Sequence, residues 1–209
     1  MFKRLIHRAS VGLALLVSGL LTVPMALAAA DPAIDRVAAY LNDITTLKAR
    51  FIQVGPEGDL AEGMVYLERP HKVRFEYSSP AGLLLVSDGD RLQMWDPEIA
   101  ELSEWPVTQT PAGMLLKERI DLGGEIEVLE VARESGFLRL TVAERADRGA
   151  GTLTVVFSEA PFELKQWWVK DAQGLTTRVT LLESQYGIAL DPALFDFQAR
   201  GLSPPGEAR

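Results

Sequence analysis

The spacing of hydrophobic residues changes near Ala49, from the period of a helix to the period of a strand. Between Ile34 and Leu47 apolar residues recur at steps of three and four, with polar residues between them. Asp31-Pro32, just before this stretch, has the form of a helix N-cap followed by proline at the first helical position. We therefore predict an amphipathic helix whose apolar stripe runs over residues 34–47.

Beyond this helix, apolar and polar residues alternate in about ten short segments, a pattern typical of half-buried strands. In one of them Val73, Phe75 and Tyr77 alternate with charged residues, and turn pairs such as Asp88-Gly89 separate the segments. Short strands at this spacing predict one large antiparallel sheet, coiled into a barrel or folded as a sandwich. Regular βαβ alternation is missing from the pattern, which argues against a parallel doubly wound fold.

One segment interrupts the strands. Thr110-Pro111 again has the form of an N-cap followed by proline, and apolar residues follow up to Ile120. We predict a short apolar helix over residues 111–120. This helix and the first one have two possible roles over a curved sheet: they fill its concave face as core, or they cover a cavity for an apolar ligand. The pattern alone does not choose between them.

The first 30 residues have the three-part form of a secretory signal peptide. Basic residues at positions 3–8 precede an apolar stretch over residues 11–21, and small residues allow cleavage after Ala28 or Ala30. An uncleaved membrane anchor is the alternative, and the shortness of the apolar stretch argues against it. We therefore expect residues 1–30 to be removed on secretion.

Removal of the signal makes the chain strongly acidic. It takes away three of the 21 basic residues and none of the 29 acidic ones, so the mature charge is 18 minus 29, or −11. Such a surface repels phosphate backbones, and we expect no nucleic-acid partner. The absence of cysteine excludes disulfides and thiolate metal sites and favours a bacterial periplasm. We expect one domain over residues 31–200 and a flexible tail over residues 201–209.

The chain offers little for catalysis. His71 is the one histidine left after signal removal, and the P-loop, H-E-x-x-H, G-x-G-x-x-G and G-x-S-x-G motifs are missing from the sequence. We therefore expect no enzyme, no cofactor and no metal. One enzymatic alternative stays open, a periplasmic carbohydrate-active enzyme with paired carboxylates beside tryptophans, because the many acidic residues allow such a pair.

Several short motifs occur together in this chain. They are Leu47–Gln53, Gly63–Pro70, Val73–Tyr77, Val86–Gly89, Thr110-Pro111 with Met114-Leu115, and Phe195–Phe197. In this order they resemble the LolA family, the periplasmic carriers of outer-membrane lipoproteins. The resemblance covers about residues 37–197 and is most specific over residues 47–96.

The resemblance implies a mainly β protein with helices, an incomplete and strongly curved antiparallel β-barrel with a helical lid over an apolar cavity. The cavity would receive the acyl chains of lipoproteins released by an inner-membrane ABC exporter. The carrier, expected to be a monomer without a cofactor, would cross the periplasm and deliver its cargo to the outer membrane or to an acceptor there. A lipid- or lipoprotein-sensing regulatory domain of the same architecture is the alternative.

The resemblance also assigns roles to residues. Arg69 matches the family arginine that closes the lid through hydrogen bonds to the lid helices, a role that the fork of guanidinium donors suits. Without the resemblance Arg69 would be a surface charge that ends a strand. The family often has an aromatic residue where this chain has Val73. The candidates for lining the cavity or the lid are Leu41, Ile44, Phe51, Val73, Phe75, Tyr77, Leu85, Trp95, Met114 and Leu115.

Overall fold

A computed structural model of the protein describes residues 31–107 and 110–197. The predicted signal peptide, residues 1–30, and the predicted tail, residues 201–209, lie outside this part of the chain. Among the described residues, no helix has the length and apolar character needed to cross a membrane.

The first helix, α1, spans Pro32–Asp43. Its N-terminus is the predicted one, because the Asp31 side chain accepts a hydrogen bond from the Ala33 N–H at 2.9 Å. Its C-terminus comes earlier than the apolar stripe predicts, since Ile44 has an extended backbone and the first strand starts at Thr46. The stripe continues to Leu47 because Ile44 and Leu47 are buried in the same core as the helix, although neither belongs to it.

Eleven strands form one antiparallel sheet in the described residues, as the alternation predicts. They are β1 (Thr46–Val54), β2 (Leu60–Glu68), β3 (Lys72–Ser79), β4 (Leu84–Asp88), β5 (Arg91–Asp96), β6 (Glu101–Pro106), β7 (Ile126–Glu134), β8 (Phe137–Glu144), β9 (Gly151–Glu159), β10 (Phe162–Asp171) and β11 (Thr176–Tyr186).

The strand order explains the curvature of the sheet. It runs β6-β5-β4-β3-β2-β1-β11-β10-β9-β8-β7, so two meanders are joined by the pairing of β1 with β11. The open edges β6 and β7 follow each other in the chain, although ten strand spacings, about 48 Å in a flat sheet, separate them. The connection between them crosses the concave face, and its described part, residues 110–125, is called the crossing segment below. The sheet curves around this segment, which packs against both meanders.

The crossing segment contains a 3₁₀ turn over Pro111–Leu116 in place of the predicted helix over residues 111–120. The Thr110 cap is as predicted, since its hydroxyl accepts from the Ala112 N–H at 3.3 Å. An α-helix would need a bond from the Ile120 N–H to the Leu116 carbonyl. Instead, the Leu116 carbonyl accepts from the His71 N–H at 2.8 Å, and the Ile120 N–H donates to the Asn42 side chain at 2.9 Å. Tertiary hydrogen bonds thus replace the helical ones.

The outer face of the sheet has a smaller apolar cluster beneath the C-terminal residues. A 3₁₀ turn spans Pro192–Phe195, and Phe197 is buried against Leu84 and Val86. The buried Arg74 side chain donates to the Leu194 carbonyl at 3.0 Å and so fastens this end of the chain to β3.

Candidate functional site

An apolar cavity of about 180 Å³ lies between the concave face of the sheet and the crossing segment. The sheet contributes alternate side chains of β2–β6 and one from β10, and the 3₁₀ turn covers them. The lining residues are Val65, Leu67, Val73, Phe75, Leu85, Leu92, Trp105, Val107, Thr110, Ala112, Gly113, Leu115, Leu116 and Trp167. Because this wall is apolar apart from Thr110, the space suits a hydrocarbon group rather than a polar ligand.

The structure brings together four of the ten lining candidates. Val73, Phe75, Leu85 and Leu115 face the cavity. Four others, namely Leu41, Ile44, Phe51 and Met114, are buried in the core around the cavity without lining it.

Tyr77 does not line the cavity, and its ring packs against that of the lining residue Phe75 with 6.3 Å between the centroids. Its ring lies 5.1 Å from that of Phe51, edge to face, and its hydroxyl donates to Gln53 Oε1 at 3.1 Å. Burial raises the pKa of Tyr77 to about 12, so its hydroxyl is neutral at any physiological pH. Phe51 also meets Phe75 edge to face, and Phe75 meets Trp167 in the same way. The wall is therefore continuous with a block of interlocked rings.

Trp95 lies on the other face of the sheet. It pairs with Leu84, whereas the cavity residue Leu85 pairs with Met94, and directly paired residues share a face. Trp95 accordingly packs against the outer cluster of Leu84, Val86 and Phe197.

The tryptophans that do face the cavity are Trp105 and Trp167. Trp105 pairs with Leu92, and Leu92 pairs with Ser87, which lies on the face of Leu85. These two pairings place Leu92 and Trp105 on the cavity face. Trp167 comes from the distant β10, and no local pattern places it here.

Arg69 connects three parts of the chain at one end of the cavity. It follows β2, and its Nε donates to the Ile44 carbonyl at 2.7 Å while Nη1 donates to the Lys117 carbonyl at 3.3 Å. Nη2 donates to the carbonyl of Leu41. One guanidinium therefore ties the C-terminal end of α1 to the end of the 3₁₀ turn in the crossing segment.

The chemistry of this contact follows from the helix end. The last carbonyls of a helix have no partners within it, and they carry partial negative charge. The last turn of α1 has no basic residue, so Arg69 supplies the cation from the β2–β3 turn. Burial lowers the pKa of Arg69, but an arginine stays charged at neutral pH.

The opposite end of α1 is fastened to the other meander. Arg133 of β7 forms an ion pair with Asp31 at 2.7 Å, and the Arg36 guanidinium lies 3.7 Å above the ring of Phe162 in β10. The Tyr40 hydroxyl accepts from the Leu164 N–H at 3.3 Å. The helix is therefore anchored along its length. In the crossing segment, the Lys117 side chain also forms an ion pair with Glu144 of β8 at 2.9 Å.

His71 contributes through its backbone. Its N–H donates to the Leu116 carbonyl at 2.8 Å, and its own carbonyl accepts from Ser87 Oγ at 2.7 Å. In the described part of the chain, no group of three or more His, Asp or Glu side chains is placed to hold a metal ion.

Comparison with known proteins is consistent with this geometry. The family model described as "Outer membrane lipoprotein carrier protein LolA" matches residues 42–198. An outer-membrane lipoprotein carrier protein of Bordetella avium is 30% identical over 191 residues, covering 86% of this chain and 90% of its own. Its counterpart in Methylococcus capsulatus is 28% identical over 180 residues, covering 82% and 83%.

The fold also occurs among solved structures. A DUF1329 family protein from Desulfovibrio piger superposes with a TM-score of 0.50 at 9% identity, covering 80% of this chain and 96% of its own. This likeness concerns the fold alone. The match of the family model over most of the chain shows that the protein belongs to the LolA family.

Proposed function

We propose that the protein is a periplasmic carrier that binds the acyl chains of lipoproteins and delivers them to the outer membrane. The observation that carries this proposal is the apolar cavity beneath the crossing segment, which Arg69 joins by hydrogen bonds to the end of α1. Family membership and the names of the relatives support the same function.

The size of the cavity supports a lid that lies close against the sheet. An apolar cavity of about 150 Å³ in another protein holds one benzene molecule. The cavity here has about 180 Å³, which is room for a few methylene groups and not for a whole acyl chain. Loading therefore requires the crossing segment to move away from the sheet, and this segment acts as the lid.

The energetics fit a shuttle. Burying one methylene group stabilises a complex by about 0.8 kcal/mol, so a long acyl chain in an open apolar trough would leave very slowly. A lid that must be displaced lowers the net affinity by the free energy of its own closed contacts. When Arg69 forms its three hydrogen bonds to backbone carbonyls again, the free energy of the closed lid favours release of the cargo.

The route follows from the same proposal. The chain would enter the periplasm through a signal over residues 1–30 and act there as a single domain over residues 31–200. It would receive lipoproteins from an inner-membrane ABC exporter and pass them to the outer membrane or to an acceptor in it. No nucleotide or cofactor is assigned to the carrier, because the exporter would supply the energy.

No observation favours the enzymatic alternative. Such an enzyme would need tryptophans that share one groove. Trp105 and Trp167 face the interior cavity, whereas Trp95 and Trp168 belong to the outer face of the sheet. A lipid- or lipoprotein-sensing domain of the same architecture would use the same cavity. It would differ from a carrier because it would release no cargo to a membrane.

Binding of an acylated peptide tests the site. We expect the purified mature protein to bind a synthetic lipopeptide with palmitoyl chains and to ignore the same peptide without them. Tryptophan fluorescence gives the readout, because Trp105 and Trp167 line the cavity. Equal binding of both peptides, or of neither, would contradict the proposal.

A further inference from the structure

Asn42 joins the lid to α1 through a set of bonds separate from those of Arg69. It lies in the last turn of α1 and is half-buried. Its Nδ2 donates to the Ile120 carbonyl at 3.0 Å, and its Oδ1 accepts from the Ile120 N–H at 2.9 Å. Nδ2 also donates to the Ala38 carbonyl at 2.8 Å. One amide thus pairs both backbone groups of a residue 78 positions away.

The arrangement requires an amide in this orientation. A reversed amide would point its oxygen at the carbonyls of Ala38 and Ile120 and its nitrogen at the Ile120 N–H, losing all three bonds. Alanine has no polar group, and an ionised aspartate keeps the acceptor but has no donor. Asparagine is a weaker helix former than alanine, so the presence of Asn42 in α1 is not explained by helix propensity.

The bonds of Asn42 reach the lid beyond the contacts made by His71 and Arg69. Leu116 is held by the His71 backbone and Lys117 by Arg69. Three residues further on, the Ile120 side chain is buried and its backbone is bound by Asn42. Because α1 itself is anchored to β7 and β10 through Asp31, Arg36 and Tyr40, a bond to Asn42 is a bond to a fixed body.

We infer that Asn42 is a second lock on the lid, a positioning residue that sets the affinity of the carrier for acyl chains together with Arg69. This inference rests on the proposed function. When the lid is closed, loss of the Asn42 side chain leaves the buried N–H and C=O of Ile120 without these partners. When the lid is open, water satisfies both groups. The substitution therefore penalises the closed state alone.

The test compares Asn42→Ala with Asp43→Ala. The two residues are neighbours in the last turn of α1, and both substitutions raise helix propensity by similar amounts, but Asp43 is exposed. We expect Asn42→Ala to bind the palmitoylated lipopeptide about tenfold more tightly, since a larger fraction of the protein is open, and Asp43→Ala to bind as the wild type does.

Hydrogen exchange separates failure of this inference from failure of the proposed function. In Asn42→Ala, amide exchange should accelerate over residues 116–120 and stay unchanged in the central strands β1 and β11. This readout needs no ligand, so it tests the lock even if the lipopeptide does not bind. Unchanged exchange over residues 116–120, or equal acceleration throughout the sheet, would overturn the inference.

A third variant gives a readout that loss of packing would not produce. Asn42→Asp should open the lid at pH 7, where its carboxylate has no donor for the Ile120 carbonyl. Near pH 4 a growing fraction of that carboxyl group carries a proton and regains the missing donor. Exchange over residues 116–120, corrected for the wild type at each pH, should therefore slow as the pH falls. If exchange in Asn42→Asp changes with pH in parallel with exchange in the wild type, the lock is contradicted.

Discussion

Arg69→Leu is expected to hold its cargo instead of delivering it. The substitution removes three hydrogen bonds from a charged donor to the carbonyls of Leu41, Ile44 and Lys117. Bonds to charged groups are worth about 1.5–3 kcal/mol each, so the closed, empty state loses several kcal/mol. Since the loaded state has already given up these bonds, we expect the affinity for acyl chains to rise by at least about 100-fold.

The measurement is the rate at which bound lipopeptide passes to acceptor vesicles. Arg91→Leu is the matched control, because Arg91 is an exposed arginine on the outer face of β5 whose surface ion pair with Glu104 of β6 makes no contact with the crossing segment's carbonyls. Transfer should slow strongly in Arg69→Leu and stay normal in the control. Transfer at the wild-type rate by folded Arg69→Leu would refute the closing role of Arg69.

A charge placed in the cavity should abolish binding. Leu85 faces the cavity from β4 and is half-buried, so Leu85→Glu places a carboxylate where the acyl chain would lie. The effective penalty for burying an unpaired charge is several kcal/mol. We expect a loss of lipopeptide affinity of roughly 100-fold or more, measured by tryptophan fluorescence.

Two further variants make this result specific. Leu60→Glu makes the same chemical change at a side chain that is 69% exposed, and it should bind normally. Leu85→Trp keeps the site apolar but fills space in a cavity of about 180 Å³, so it should weaken binding even if Leu85→Glu does not fold. If all three variants bind like the wild type, the acyl chains occupy another surface.

The sheet could be predicted from the sequence because the burial pattern of a strand is local. Val73, Phe75 and Tyr77 all lie on the concave face of β3, as their alternation with charged residues indicates. The pairing of β1 with β11 could not be predicted in this way, since it joins segments more than 100 residues apart and no local pattern records it.

The helix boundaries show where periodicity misleads. Ile44 and Leu47 continue the helical spacing of α1, yet they are buried from a linker and a strand. In the crossing segment, the apolar residues up to Ile120 have the spacing of a helix. However, the Leu116 carbonyl and the Ile120 N–H, which would bond to each other in a helix, bond to His71 and Asn42 instead.

The site was only partly predictable for the same reason. Alternation identifies which residues of one strand share a face, but placing Trp95 needed the pairing of β4 with β5, which puts it opposite Leu84 on the outer face. The partners of Arg69 are backbone carbonyls, which have no signature in the sequence, so the family resemblance alone pointed to this residue.

Native mass spectrometry of the mature protein, purified from periplasm without detergent, tests the carrier account most directly. The account predicts that part of the wild-type protein carries the additional mass of an acylated lipoprotein and that this fraction grows in Arg69→Leu. If the wild type and Arg69→Leu both show only the mass of the protein without cargo, the account is contradicted, because the variant should retain whatever cargo the cell supplies.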